Sequence, residues 1–263
     1  MSKFLHKPLN TKSLPKGIPY IILNEAAERF SFYGMKGILV IYMTKYLFLE
    51  TGEANLSEEN AKAYFHLFTS AVYFFPIIGA LISDIFLGKY KTIILLSLVY
   101  CLGHLTLAID PSKFGLSVGL TLIAIGSGGI KPCVSAHLGD QFGKNNISFI
   151  SKAFSWFYIS INLGAFTSTL LIPYLLEHYS PGIAFGLPGI FMFLATFFFW
   201  LGRYKFIHIK PIGHKSFIEL FNKKNIKNIF QLLIIFIFVS FFWCLFDQTG
   251  SSWILQAEKM DRN

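Results

Sequence analysis

Residues 24–36 read NEAAERFSFYGMK and place four charged side chains inside an apolar run that extends from Ile18 to Phe48. About 20 helical residues are enough to cross the hydrocarbon of a membrane, and the apolar region of a cleavable signal peptide is shorter than this run. The run therefore predicts a helix that spans the membrane and stays in the protein. Its charged side chains must face protein or water, because exposing charge to lipid is costly.

The rest of the chain has the same apolar character. Hydrophobic residues make up 54% of the 263 residues and charged residues only 14%, which is outside the range of soluble globular domains. Six further runs are long and apolar enough to be spans: Lys62–Leu87, Thr92–Ile109, Phe114–Leu138, Ala153–Leu176, Ala184–Leu201 and Ile229–Leu255. The sequence predicts an all-α membrane protein with seven spans.

The charges between the runs predict the orientation in the membrane. Basic residues mark cytoplasmic loops, and here basic and acidic connections alternate. The predicted cytoplasmic segments carry Lys3, Lys7, Lys12 and Lys16, then Lys89 and Lys91, then Lys144 and Lys152, then Arg203, Lys205 and Lys210; the first external one carries Glu50, Glu53, Glu58 and Glu59. We expect a multi-pass protein of the cell (inner) membrane with a cytoplasmic N-terminus.

This pattern also predicts three segments. A six-helix bundle occupies residues 1–202, a basic cytoplasmic loop residues 203–228, and a seventh helix residues 229–263. The net charge of +9 is explained by these loops rather than by nucleic-acid binding, and the basic loop has anionic lipid headgroups as an alternative partner. Because six helices plus one is half of a two-bundle transporter and a little more, we expect a truncated chain.

The charges of the first run share one face of the predicted helix. At about 100° per residue, Glu25, Glu28, Arg29 and Lys36 fall within an arc of roughly 100°, together with Phe32. Counted at about 1.5 Å per residue, the two glutamates lie roughly 10–17 Å into the membrane. This depth favours a functional site over a solvated helix end, since short glutamate side chains reach the interface poorly.

Two other runs carry charges at matching depths. Lys131, in the fourth run, lies about 12 Å from its cytoplasmic end, level with Glu25 and Glu28, so we predict that it pairs with them. Asp247, in the seventh run, lies about 27 Å above the cytoplasmic end, at the level of Lys36. This position predicts a second charge pair nearer the outside. One low and one high charge pair around a cavity suit the two gates of alternating access.

Chemistry of other kinds is disfavoured. Cys101, Cys133 and Cys244 lie in apolar runs without a CxxC spacing, and neither His104 nor His137 has a second ligand four residues on. No nucleophile or cofactor loop is recognisable, so we expect neither an enzyme nor a bound cofactor or metal.

Five stretches, in order, resemble one family. Residues 25–34 are similar to the ExxERFxYYG motif of the proton-dependent oligopeptide transporters, the peptide transporter family of the major facilitator superfamily. Residues 79–91 resemble the superfamily's signature after helix two. Residues 128–142, 157–164 and 242–248 resemble the family's patterns in helices four, five and seven. The resemblance implies a major facilitator-type six-helix bundle plus one helix, and symport of di- and tripeptides with protons.

The resemblance also implies roles for individual residues. Glu25, Glu28 and Arg29 would couple proton binding to transport, with His66 as a further proton site because histidine titrates near neutral pH. Side chains implied to bind or surround the peptide are Arg29, Tyr33, Lys36, Tyr73, Lys131 and Asn162. Lys36 and Asp247 would form the external gate.

The chain departs from the family pattern in three ways. Phe32 replaces a common tyrosine, Lys36 replaces an arginine, and we expect the second bundle to be missing. Two alternatives stay open: a transporter of the same fold that carries nitrate or other organic anions, and a truncated or split gene product without transport activity. In the second case a separately encoded C-terminal half is a possible partner.

Overall fold

The computed structural model describes residues 4–8, 10–48, 55–213 and 223–260. Seven long helices and one short helix occupy most of the described chain. Their bounds are α1 Ile18–Ile41, α2 Glu58–Ile82, α3 Lys89–Ile109, α4 Lys113–Asp140, α5 Ile150–His178, α6 Pro181–Leu201, α7 Lys223–Phe246 and α8 Ser252–Glu258. Single π-helical turns extend α1 through Tyr42–Tyr46 and α2 through Ser83–Leu87. The predicted helical architecture is confirmed.

Six stretches are long and apolar enough to cross a membrane: α2 to α6, and the stretch from Asn225 to Glu258 that contains most of α7 and all of α8. α1 is long enough as well, but it carries Glu25, Glu28, Arg29 and Lys36. Its buried surface explains how these charges are accommodated, since Glu25 and Glu28 are at most 2% exposed. The first span is therefore held among other helices and does not present its charges to lipid.

Serine side chains start three of the helices. Ser57, Ser112 and Ser180 precede α2, α4 and α6, and each hydroxyl accepts a hydrogen bond from the backbone N–H three residues further on. This contact satisfies one of the backbone donors that a helix N-terminus leaves unpaired. The starts of these three helices are thus encoded locally.

Glycines allow the bundle helices to approach closely. α1 packs against α5 and α6, α4 against α2 and α3, and α3 against α6. A Cβ on Gly79 of α2 would lie 2.3 Å from the carbonyl oxygen of Gly129 on α4, and one on Gly164 of α5 would lie 2.3 Å from that of Ala26 on α1. Both crossings therefore bring backbone against backbone, as small residues permit in membrane helices.

α7 stands apart from this bundle. Residues 226–246 are exposed, whereas Asp247, Ser251 and Leu255 beyond them are buried. The span predicted over Ile229–Leu255 falls within the apolar stretch Asn225–Glu258, but this stretch is interrupted: α7 begins at Lys223 and ends at Phe246, where a 3-10 turn precedes α8. The break brings Gly250 against α2, where a Cβ would lie 2.5 Å from the ring of Phe65.

The N-terminal segment and the chain after α6 lie together at one end of the bundle. Leu5 and Ile207 form an isolated parallel bridge, and Leu5 accepts a hydrogen bond from the backbone N–H of His208 at 2.7 Å. Part of the predicted basic loop, residues 214–222, lies outside the described residues, as do Lys3, Glu50 and Glu53. The described part of that loop, residues 203–213, packs against the start of α3 near Gly88.

Candidate transport site

The site begins with a buried cluster of three charges on α1. Arg29 Nε lies 2.7 Å from Glu25 Oε1 and 2.9 Å from Glu28 Oε2, so one guanidinium nitrogen contacts both carboxylates. The other oxygen of Glu28 accepts a hydrogen bond from the Ser127 hydroxyl of α4 at 2.9 Å. Charge-assisted contacts of this kind are among the stronger polar interactions in a protein interior.

Neighbouring helices hold α1 in position around this cluster. The Ser31 hydroxyl donates at 2.6 Å to the carbonyl of Pro188 on α6 and also contacts that of Ala27. On the opposite side Gly164 of α5 touches the backbone of Ala26. Packing on both sides fixes the rotation of α1, and with it the direction in which Glu25, Glu28 and Arg29 point.

Lys131 occupies a different environment from the one predicted. Its Nζ lies 4.4 Å from the centroid of the Phe32 ring and 5.6 Å from that of Tyr73. It makes no ion pair within 4.0 Å among the described residues, so the predicted direct pairing with Glu25 or Glu28 is wrong. Arg29 reaches both carboxylates from within α1, and aromatic faces take the place of a carboxylate around the ammonium group.

The predicted outer charge pair is present. Lys36 Nζ donates to Asp247 Oδ1 at 2.8 Å, and both side chains are largely buried. The ammonium group also lies 5.4 Å from the centroid of the Phe65 ring on α2. The contact joins α1 to the turn that follows α7, at the place where the chain returns to the bundle.

Two cavities meet at this pair. One, of about 940 Å³, lies between α2 and α7 and is lined by His66, Tyr73 and Asp247. The other, of about 760 Å³, is lined by Tyr33 and Lys36 together with residues of α5 and the segment after α7. The structure therefore brings five of the predicted residues to the walls of two adjoining spaces.

The structure places the predicted site residues His66 and Asn162 in different surroundings. His66 Nε2 lies 3.1 Å from the Ser251 hydroxyl, so this histidine links α2 to the start of α8. The Asn162 side chain instead donates at 2.8 Å to the carbonyl of Tyr158 in its own helix. Asn162 is exposed and does not line either of the two cavities, so the structure does not bring it to the other predicted residues.

Sequence reasoning missed the contribution of Ser127. It lies four residues before Lys131 on α4, and this spacing places both side chains on one helix face. That signal was available, but only the packing of α4 against α1 shows that the hydroxyl meets Glu28. Among the described residues, no group of three or more histidine, cysteine or acidic side chains is arranged to hold a metal ion.

Comparison with known proteins gives a consistent result. The profile described as "POT family" matches residues 90–223 and 214–263. The chain is 39% identical to "Peptide transporter family 1" of Drosophila melanogaster, over 95% of this chain and 39% of that protein. It is 37% identical to "Solute carrier family 15 member 2" of Mus musculus, over 95% of this chain and 40% of that protein. The chain thus spans about two fifths of the length of these relatives.

Solved structures agree with the sequence matches. A crystal structure titled as a proton dependent oligopeptide (POT) family transporter superimposes with a TM-score of 0.81 at 39% identity, covering 94% of this chain and 66% of that one. The POT family transporter PepTSo superimposes with a TM-score of 0.71 at 50% identity, covering 76% of this chain and 39% of that one. The major facilitator-type helical fold is confirmed, and the chain belongs to the POT family of transporters.

Proposed function

We propose that this chain takes part in symport of di- and tripeptides with protons across the cell (inner) membrane, with its N-terminus in the cytoplasm. The fly relative is named a peptide transporter and one superimposed crystal structure is that of an oligopeptide transporter, which supports peptides over nitrate as cargo. The observation that carries the proposal is the buried cluster of two carboxylates around one arginine.

Proton coupling follows from the charge of this cluster. Glu25 and Glu28 compete for one nitrogen of Arg29, and both carboxylates are buried. Adding a proton to either one removes a charge and leaves Arg29 with a single anionic partner. The guanidinium group is then free to turn toward another anion, such as a peptide carboxylate, so proton and substrate binding become linked.

Lys131 supplies the second cation for that carboxylate. Its ammonium group is held over two aromatic rings and has no ion-pair partner among the described residues. An ammonium group has three hydrogen-bond donors, and contact with aromatic ring faces does not fully satisfy any of them. An incoming carboxylate therefore gains a charge-assisted contact at Lys131 without first displacing a protein carboxylate.

The contacts near the outer side join the site to the segment that we propose to move during gating. The Lys36–Asp247 pair and the His66–Ser251 hydrogen bond both join the six-helix bundle to the segment after α7. Which of the two groups donates in the His66–Ser251 contact depends on the histidine tautomer. We assign these two contacts to an external gate that opens when they break, with Lys36 then exposed to the cavity.

Alternating access uses two bundles that move against each other around the substrate. The proposed activity therefore requires a second bundle, supplied either by further sequence or by a separately encoded partner. In that assembly the Tyr33 and Tyr73 side chains, which are partly exposed on the first bundle, would face the peptide.

Dipeptide uptake into proteoliposomes tests the proposal. The chain is assembled with the second half of the fly relative, and uptake is measured with an inward proton gradient and as gradient-free exchange. We expect Glu25→Gln to abolish gradient-driven accumulation while exchange persists. Lys131→Ala should weaken apparent peptide affinity by about tenfold or more, the loss of one charge-assisted contact.

Glu59→Gln is the matched control, because Glu59 is an exposed carboxylate at the start of α2. It should leave both measurements unchanged. Accumulation that survives Glu25→Gln together with unaltered affinity in Lys131→Ala would refute the proposal.

A further inference from the structure

A separate cavity of about 300 Å³ lies at the end of the bundle where α3 begins, between the N-terminal segment and the chain after α6. Its basic lining residues are three lysines and three histidines: Lys89, Lys91, Lys210, His6, His137 and His208. None of the described lining residues is acidic. The proposed transport mechanism uses none of them.

The lysines provide uncompensated positive charge. Lys89 donates to Asp140 at 2.7 Å and is therefore paired. Lys91 and Lys210 are exposed, and neither makes an ion pair with an acid in the described part of the chain. Burial lowers the pKa of His208, which disfavours the charged form of its ring.

The first turn of α3 adds backbone donors. The helix begins after Gly88, whose φ of +78° is readily adopted by glycine, and no side chain caps the turn. The first turn also contains no acid. Its amide N–H groups and the positive end of the helix dipole are consequently available to an anion.

An independent observation comes from His137, which reaches the cavity from α4. The residue is 1% exposed, and its Nε2 has no hydrogen-bond partner among the described residues. A buried polar atom without a partner is costly and uncommon in a native protein. A ligand oxygen in the cavity would satisfy this nitrogen.

The walls of the cavity are held by specific contacts. His6 Nδ1 lies 3.0 Å from the carbonyl oxygen of His208, and the ring of Tyr90 packs edge-on against that of His208 with 4.7 Å between centroids. Behind them, Gln141 Oε1 accepts the backbone N–H of Ile207 at 2.9 Å. The cavity is thus formed by the fold rather than by loose surface side chains.

We propose that this cavity is a binding site for a phosphate group. The α3 amides and Lys91, Lys210 after α6 and His137 on α4 line the cavity from three parts of the chain, which suits a tetrahedral anion with several acceptor oxygens better than a planar carboxylate. The volume is at the lower end for ligand pockets and accommodates a small phosphorylated group. Its source is either an anionic lipid headgroup at the membrane surface or a soluble phosphate.

Thermal unfolding of the purified full chain tests the proposal in two arms. In detergent, inorganic phosphate is titrated against potassium chloride of matched ionic strength. In lipid nanodiscs, phosphatidylcholine is compared with phosphatidylcholine containing phosphatidic acid. A ligand that binds only the folded chain raises Tm. A rise with phosphate identifies the soluble source, and a rise confined to phosphatidic acid identifies the lipid.

Two double variants distinguish binding in this cavity from a nonspecific effect of the protein's positive charge. Lys91→Ala/Lys210→Ala should require about tenfold or more ligand for the same rise in Tm. Lys12→Ala/Lys144→Ala removes two exposed lysines from the same end and should respond as the unmodified chain does. No rise in either arm, or an equal loss in both double variants, would overturn the proposal. Native mass spectrometry of the bound ligand gives the same comparison without relying on unfolding.

Discussion

The close contact between α1 and α5 predicts how stability changes when one methyl group is added at Gly164. A Cβ on Gly164 would lie 2.3 Å from the carbonyl oxygen of Ala26, 2.9 Å from the backbone nitrogen of Phe30 and 3.2 Å from Arg29 Cβ. Backbone atoms cannot rotate away as a side chain does. Gly164→Ala must therefore push α5 away from α1 at the level of the buried charge cluster.

The magnitude follows from two opposing effects. Replacing a helical glycine by alanine favours the helix by up to about 1 kcal/mol, whereas forcing extra volume into a packed contact costs about 1–3 kcal/mol. Because the clash at 2.3 Å is with backbone, the cost lies at the upper end of that range, and the net change at Gly164 should be a destabilisation of about 2 kcal/mol. Gly37 on α1 has no atom within 4 Å of the position that a Cβ would take, so Gly37→Ala should give the favourable effect alone.

Thermal unfolding of both variants in the same detergent measures this difference. For a chain of this size about 1 kcal/mol corresponds to roughly 2–4 °C, so Gly164→Ala should lower Tm by several degrees and Gly37→Ala should raise it slightly. The opposite signs are the essential result. If Gly164→Ala is as stable as the unmodified chain, the backbones of α1 and α5 are not in contact and the packing of these two helices is incorrect.

Two further substitutions test the polar contacts. Ser127→Ala should lower the free energy of unfolding by about 1.5–3 kcal/mol, because Glu28 loses a buried donor; Ser117→Ala, on an exposed face of the same helix, should change little in the same unfolding assay. Asp247→Asn should speed hydrogen exchange of the α8 amides, since Lys36 loses its anionic partner. Exchanging the two charges between positions 36 and 247 should restore slow exchange. Equal exchange in all three proteins would contradict an anchoring role of this ion pair.

The positions of the helices were largely predictable. Runs of about 20 apolar residues gave spans whose bounds fall within a few residues of α2 to α6. The break after Phe246 was not predicted, although residues 247–252 read DQTGSS and are polar, because the span was extended to the apolar residues that follow, Trp253 to Leu255. In the structure Gly250 lies in this turn against the Phe65 ring, a contact between residues far apart in sequence.

The candidate site was predictable in part. Helical periodicity placed Glu25, Glu28 and Arg29 on one face, and depth matched Lys36 to Asp247, a contact that is present at 2.8 Å. The same depth argument failed for Lys131. Two residues at one level still need the correct helix rotation to meet, and here the rings of Phe32 and Tyr73 lie against the ammonium group instead.

The sequence by itself determined that this protein is a set of membrane helices with charges on the inner face of the first. Both properties follow from local energetics, namely the transfer of apolar residues to lipid and the 3.6-residue period of the helix. Only the tertiary structure decided that Ser127 meets Glu28, that Asn162 bonds within its own helix, and that a basic cavity forms beside α3. These contacts depend on the rotation and offset of one helix against another to within about an ångström, and no single stretch of sequence contains that information.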